Sequence, residues 1–436
     1  MKPVASSLRY RHGAGPPSTS DFSAVAWYGQ GVWDLRSDRQ PGKSLGYVAN
    51  DFYLQDAASL LPLKLLALDT GDLPDQTWVC DLCAAPGGKA TAILESIGPR
   101  GFLVANEVVA KRRGALAENL ARVGSGRYVI TGSPPETLAK WLPHRFDIVV
   151  VDAPCSGQSM VAIDKQDPSA FDAETIAANA KRQHAILDAA AGLLRPGGTL
   201  VYSTCTFAEA ENEAQVQRLV ESERFMPTGD AIGNAVGCDV RSTGPGCYRI
   251  DPRVRSEDHG GWLGGFAASM QSSPSASDTK MTDPSRRRPP SRFQCRYDSS
   301  WPSEAWAVPA KTGRQFFQTD DTIYIQDDDV PSEVLDLAVG GPTLARRRGK
   351  SWRPSHSWAL RRDVPHRAQQ ISFDAQTAAS YIGGESIDGG SEAAFDDPGW
   401  AIAGYRDRPL GWVKVSGGTA KNHYPRSLRQ RLKHLD

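Results

Sequence analysis

The sequence predicts an α/β protein built on a parallel, doubly wound sheet, and three observations carry that expectation. Short apolar runs alternate with helical stretches from about Thr77 to Ala214. The segment "FDIVVVDAP" (Phe146 to Pro154) holds an unbroken apolar run, which suits a strand covered on both faces. A small-residue, glycine-bearing turn, "CDLCAAPGGKA" (Cys80 to Ala90), joins a strand pattern to a helix pattern. That is where a doubly wound sheet collects the groups that bind its ligand.

The elements read in order as follows. "TWVCDL" is the first strand and "GKATAILESI" the first helix. "GFLVANE" is the second strand, followed by the helix "VAKRRGALAENLARV". "RYVIT" and "FDIVVVDAP" are the third and fourth strands; a long helical stretch then ends at "LLRPGG", and "TLVYSTC" is the fifth strand. From Gln271 to Ser291 the composition shifts to "QSSPSASDTKMTDPSRRRPPS", which reads as a linker. Beyond about Arg292, "TIYIQ", "GWAIAGY" and "LGWVKV" mark a small β-rich module. The expected organisation is a short N-terminal extension over 1–50, a catalytic domain over 51–270, a flexible linker over 271–291 and a C-terminal region over 292–436.

Totals set the outer bounds. With 436 residues the chain has room for two or three domains, and 40% hydrophobic residues supply a core. Fifty basic and fifty acidic residues cancel, so nucleic-acid binding must come from local patches. The start "MKPVASSLRYRHG" has no apolar core of a secretory signal, and no apolar run reaches the ~20 residues of a membrane span. With seven cysteines, an odd count at low density, free thiols in a reducing cytoplasm are expected, with no membrane contact.

The turn itself suggests a ligand. Small residues from Cys83 through Ala84, Ala85, Pro86, Gly87 and Gly88 to Lys89 let a ligand approach the backbone, and free N–H groups at the helix start favour an electron-rich group. Glu107 ends the second strand, 24 residues after Cys83, where an acid can accept from both hydroxyls of a ribose. Together they point to an adenosine-bearing cofactor; a tight turn with a surface glutamate is the alternative. Cys80 and Cys83 have zinc-knuckle spacing, but no second such pair exists. The histidines show no metal-ligand spacing, and no metal is expected.

Two more thiols stand at strand ends. Cys155 follows the fourth strand and Cys205 ends the fifth, with Asp152 three residues before Cys155. If these strands are neighbours, about 4.8 Å apart, both sulfurs face one pocket; otherwise both are small buried hydrophobes, the commoner fate of a free cysteine. The set suits one chemistry. Carbon 5 of a pyrimidine becomes nucleophilic when a thiolate adds to carbon 6, and an acid near ring nitrogen 3 stabilises the charge that builds there. Release then needs a second group.

The blocks "DLCAAPGGK", "DAPCSG" and "YSTCTFAEAENE" resemble the three signatures of RNA (cytosine-5) methyltransferases. The likeness runs from about Phe52 through Val216, and "PLGWVKVSGGTAKNHYPRSLR" (Pro409 to Arg429) is similar to the C-terminal PUA-like module of the RsmF-like branch that modifies 16S ribosomal RNA. The resemblance implies a Rossmann-like class I methyltransferase sheet and S-adenosylmethionine as cofactor. It implies Cys205 as nucleophile, Cys155 in breakdown of the adduct, Asp152 on the cytosine edge, Cys83 to Lys89 around the methionine part and Glu107 on the ribose. Lys89 would lie near the target base. RNA, first of all ribosomal RNA or the small subunit, is the expected partner of a monomer. A non-catalytic RNA-binding or ribosome-assembly protein, or the same chemistry on transfer RNA, are the alternatives.

This sequence departs from the family in places. Pro134 stands where an acid near the adenine is usual, and Lys165 is the first base after "DAPCSG". "EDHGGWLGGFAASM" is a loose match to the last strands of the sheet, and the N-terminal extension is short. Two basic strips remain. Leu344 to Arg362 mixes arginines and one lysine with Trp352 and Trp358, and Lys421 to Lys433 is the second; guanidinium groups pair with phosphate and aromatic faces stack on unpaired bases.

Overall fold

A computed structural model describes residues 7–11, 15–16, 21–35, 40–228, 232, 240–252, 262–274, 313–319, 321–364, 366–389, 395 and 397–435. The chain divides into two compact units, one of residues 1–38, 54–116 and 130–289, the other of 39–53, 117–129 and 290–436.

The first unit carries the expected sheet. Its strands are β1 (Trp78–Asp81), β2 (Phe102–Asn106), β3 (Tyr128–Thr131), β4 (Phe146–Asp152), β5 (Leu194–Thr204), β6 (Phe225–Pro227), β7 (Val240–Gly244), β8 (Cys247–Ile250) and β9 (Gly265–Ser272). They lie in the order β7-β8-β9-β5-β4-β1-β2-β3, with β6 paired to β9. The pairs β1–β2, β1–β4 and β4–β5 are parallel, and β9 runs antiparallel to β5. Strand order reverses between β1 and β4, the switch point where such sheets open a crevice at their carboxyl ends. Val79, Val149, Val150, Val151, Leu200 and Val201 are fully buried, as strands covered on both faces require. The loose match at "GGFAASM" is β9.

Helices α1 (Gly88–Ser96), α2 (Arg113–Val123), α3 (Ala173–Leu193) and α4 (Glu213–Glu221) alternate with the strands. The second predicted helix starts later than its apolar spacing suggests, because Ala110–Arg112 form a 3-10 turn first. Arg112 and Arg113 turn their guanidinium groups back to the carbonyls of Ala85 and Glu107. β5 begins five residues before the predicted "TLVYSTC", and its pairing with β4 is irregular between Phe146 and Ile148.

The linear boundaries differ from the compact units. The described residues among 7–35 group with the first unit. The reason is a set of buried polar links. Ser7–Tyr10, Val32–Leu35 and Phe22–Ala24 form an antiparallel sheet. Arg9 pairs with Glu95 and donates to Thr91 on α1, and Trp262 Nε1 donates to Asp34 at 2.9 Å. At the other boundary β9 runs through Ser272, past the expected linker start, and residues 275–291 of that linker lie outside the described residues.

The second unit has two sheets. Arg314–Gln318, Thr322–Asp327, Thr343–Arg348 and Ser351–Pro354 pair in that order. Gln369–Ser372, Gly399–Tyr405, Arg408–Ser416, Thr419–Asn422 and Ile387–Asp388 form the other. Ile323, Ile325, Leu344, Trp358, Ile402 and Trp412 share one apolar core between them. Trp358 is buried there, and buried Arg361 is paired with Asp363. The first basic strip is therefore half structural: its 358–362 end faces inward and only its 346–353 part is open to solvent.

Candidate active site

The site is assembled at the carboxyl ends of β1, β2, β4 and β5. Because β4 and β5 are parallel neighbours with Asp152 in register with Ser203, the residues that follow them meet. The Cys155 and Cys205 sulfurs lie 3.3 Å apart, within reach of a hydrogen bond. Neither is a packed hydrophobe of the kind Cys80 is, fully buried within β1.

The two thiols are electrically unequal. Cys205 is held below the ordinary thiol range, chiefly by its hydrogen bond to Cys155 and further by the Lys89 charge, against burial. Cys155 is pushed well up by the same hydrogen bond and by burial, with Glu211 adding to the effect. A thiol of this pair is nucleophilic as the thiolate, and the lowered one is Cys205.

Asp152 stands beside them. Its Oδ2 is 2.8 Å from Lys89 Nζ, and its Oδ1 accepts from the Ser203 hydroxyl at 2.7 Å. Lys89, from α1, and Asp152, from β4, therefore arrive at one place. Asp81, at the end of β1, is fully buried below them; burial and then the Asp152 charge push its carboxyl up to about 7, while Lys89 pulls it down. Lys165, by contrast, is exposed.

The glycine turn opens onto the same end of the sheet. Gly87 has φ +118°, in the left-handed region, and immediately precedes α1, whose first N–H groups meet no capping side chain. Cys83 donates its N–H to Asp81 Oδ1 at 3.3 Å, and its thiol is pushed up by burial and by Asp81. Ala84 N–H is tied to the Asn106 carbonyl and Arg112 Nη2 to the Ala85 carbonyl, which fixes the turn. The Glu107 carboxylate is buried: Oε1 accepts from Val109 N–H at 2.8 Å, while Oε2 lies 3.0 Å from Arg112 Nη1 without a well-aligned hydrogen bond. An acceptor left in that state fits a ribose hydroxyl. Pro134 is exposed at the start of the helix Pro135–Trp141 and brings no acid to this end of the sheet. Among the described residues no group of three or more His, Cys, Asp or Glu is placed to hold a metal ion.

Four polar residues were missed by sequence reasoning. Asp81 and Ser203 look like ordinary ends of strands. Asn106 is buried and bonds to the Leu82 carbonyl, the Thr131 hydroxyl and Ser133 N–H, tying three strand ends together. Glu211 is fully buried. It accepts from Ser156 N–H at 2.9 Å, from Gln183 Nε2 at 2.8 Å and from the Ser156 hydroxyl, which is itself 2.8 Å from Thr206 Oγ1. Ser156 follows Cys155 and Thr206 follows Cys205, so one carboxylate steadies both thiol loops. Three glutamates crowd that stretch, at 209, 211 and 213, and nothing in the sequence marks the middle one as buried.

Comparison with known proteins fits this arrangement. The pattern of the family described as 16S rRNA methyltransferase RsmB/F matches residues 68–239, and that of the methyltransferase RsmF PUA domain matches residues 368–430. The ribosomal RNA small subunit methyltransferase F of Salmonella typhi is 30% identical over 426 residues, spanning 93% of this chain and 85% of the relative. This chain belongs to the RsmB/F methyltransferase family. A second relative of the same name, from Salmonella schwarzengrund, is 29% identical over 416 residues, with 93% of this chain and 85% of that one covered. Among solved structures, the crystal structure of PH0851 has a TM-score of 0.51 at 20% identity, over 62% of this chain and 60% of that one, a likeness of fold. The matched RsmB/F region contains all the site residues described above, and as a member of the family the chain is an S-adenosylmethionine-dependent enzyme. No helix among the described residues is long and apolar enough to cross a membrane.

Proposed function

We propose that this chain methylates carbon 5 of a cytosine in 16S rRNA, with Cys205 as the covalent nucleophile. The observation that carries the reading is the thiol pair, 3.3 Å apart, beside the Asp152–Lys89 ion pair. The Cys205 thiolate adds to carbon 6 of the base, and the electron pair displaced from the ring is drawn toward nitrogen 3. Asp152, held by Lys89 and Ser203, meets that edge of the base, and the adjacent ammonium supplies positive charge as negative charge builds there. Carbon 5, now enamine-like, takes the methyl group.

S-adenosylmethionine supplies that methyl as an electrophilic sulfonium. Cys83 to Lys89 and the start of α1 would hold its methionine part, and Glu107 its ribose through the acceptor at Oε2. A water molecule then takes the carbon 5 proton, the carbon–hydrogen electron pair re-forms the bond between carbons 5 and 6, and the bond from carbon 6 to Cys205 breaks with its electron pair returning to sulfur. The Cys155 S–H is placed to donate to the departing thiolate and so to favour release. Cys80, fully buried, has no part in these steps.

The C-terminal unit is proposed as the RNA-binding region, with the enzyme acting as a monomer in the cytoplasm. Bisulfite sequencing of 16S rRNA incubated with the protein and S-adenosylmethionine tests the reading. A single protected cytosine is expected with the wild type and none with Cys205→Ala. No protection with the wild type on either naked rRNA or assembled small subunits would overturn it.

A further inference from the structure

The second unit carries like charges where a sheet normally avoids them. In the hairpin Thr343–Arg348/Ser351–Pro354, Arg346 is directly opposite Arg353. In the other sheet Lys414 is directly opposite Lys421, and on its other side Lys414 is opposite Trp400. Like charges facing each other across strands destabilise a sheet. Arg346, Arg353, Lys414 and Lys421 are all exposed, and among the described residues none of them is in an ion pair. Asp321, just before the strand that pairs with Thr343–Arg348, takes hydrogen bonds from the hydroxyls of Thr319 and Thr322 instead.

The two pairs belong to one surface. The Trp400 ring lies 4.5 Å from the His423 ring and 5.7 Å from Lys414 Nζ. His423 feels the charges of Arg353 and Lys414, which, after burial, hold its imidazole below the usual range. A neutral imidazole thus lies near one member of each cationic pair, with a half-buried indole against it. Point charges repel one another here unless an anion of repeating charge lies across them, and flat rings among cations suit bases next to phosphates.

We propose that Arg346, Arg353, Lys414 and Lys421, with Trp400 beside Lys414, form an RNA-docking track that binds the phosphate backbone of the substrate. The inference rests on the reading of the protein as an RNA methyltransferase and locates part of its RNA contact outside the matched PUA segment, on the hairpin at 343–354. Base identity is not read here; the track supplies sequence-independent affinity.

The test uses the full chain and deproteinised 16S rRNA. Binding is measured against KCl concentration for wild type, Arg346→Ala/Arg353→Ala and Lys414→Ala/Lys421→Ala. Removing one cation that neutralises a phosphate lowers the slope of log K against log salt by ~0.7–0.9, so each double variant is expected to be shallower by roughly 1.4–1.8. Methylation should show KM raised about fivefold or more with kcat little changed, as loss of uniform binding predicts. Arg346→Lys/Arg353→Lys keeps the charge and should keep the wild-type slope. Wild-type slopes and KM values in both alanine variants would overturn the track, as would a slope reduced equally in the lysine variant. Absence of methylation by the wild type itself would instead count against the enzymatic reading.

Discussion

Two regions of this molecule treat charge in opposite ways. At the strand ends of the first unit, Asp152 lies against Lys89 and Ser203, Glu107 against Arg112 and Val109, and Glu211 against Ser156 and Gln183. Each carboxylate has its partners inside the unit, so the site is organised before any substrate arrives. On the sheets of the second unit, Arg346 faces Arg353 and Lys414 faces Lys421 with no acid between. The first region stores its electrostatics internally, where low dielectric strengthens every contact. The second leaves its charge open to solvent, where it can be screened and exchanged for phosphate. Chemistry needs a fixed arrangement, whereas docking needs an unspent one.

Substitutions break or sharpen that contrast. The largest effect is expected at Cys205. Cys205→Ala should lower methyl transfer by on the order of 10⁴-fold or more while calorimetry finds S-adenosylmethionine binding nearly intact; undiminished turnover would remove Cys205 from its role. Next is Glu211→Ala, which strands the Ser156 and Gln183 donors in a fully buried position. Denaturant unfolding should show a loss of about 3 kcal/mol, and a loss below about 1 kcal/mol would mean that the thiol loops do not depend on it.

A subtler effect belongs to the thiol pair. The largest influence lowering Cys205 is its hydrogen bond to Cys155. A lowered thiol is thiolate at lower pH, so Cys205 should alkylate with iodoacetamide at a pH below that of an ordinary cysteine. Cys155→Ala removes the donor and should move the midpoint of that reaction upward; an unmoved midpoint would detach the two sulfurs. The smallest effect is expected in the second region, where Arg346→Ala should change stability by no more than about 0.5 kcal/mol, or raise it slightly, because an exposed like-charge pair is relieved. A clear loss there would show that the hairpin arginine supports the fold instead of waiting for a ligand.

The contrast also explains what the sequence made legible. Strands β1 to β5 stand out by their apolar runs, and the glycine turn, Glu107, Asp152 and both thiols by their places at the ends of those runs. Glu211 and Asn106 are not legible. Each acts by joining segments distant in sequence, as Glu211 joins Ser156, Gln183 and Thr206, and such closure appears only once β4 and β5 are side by side. The basic strip at 344–362 shows the converse limit. Composition alone gives Arg353 and Arg361 the same standing, although one is exposed and the other buried against Asp363. The unit boundaries were illegible for a similar reason, since Arg9 reaches Glu95 and Trp262 reaches Asp34 across long stretches of chain.

The central claim is the division of work between two sulfurs 3.3 Å apart. Incubation of Cys155→Ala with labelled 16S rRNA and S-adenosylmethionine, followed by a denaturing gel and peptide mass analysis, tests it most directly. The account predicts a slowly migrating protein–RNA band, with the nucleotide attached at Cys205 and its base already methylated. No adduct, or one attached to a residue other than Cys205, would contradict it.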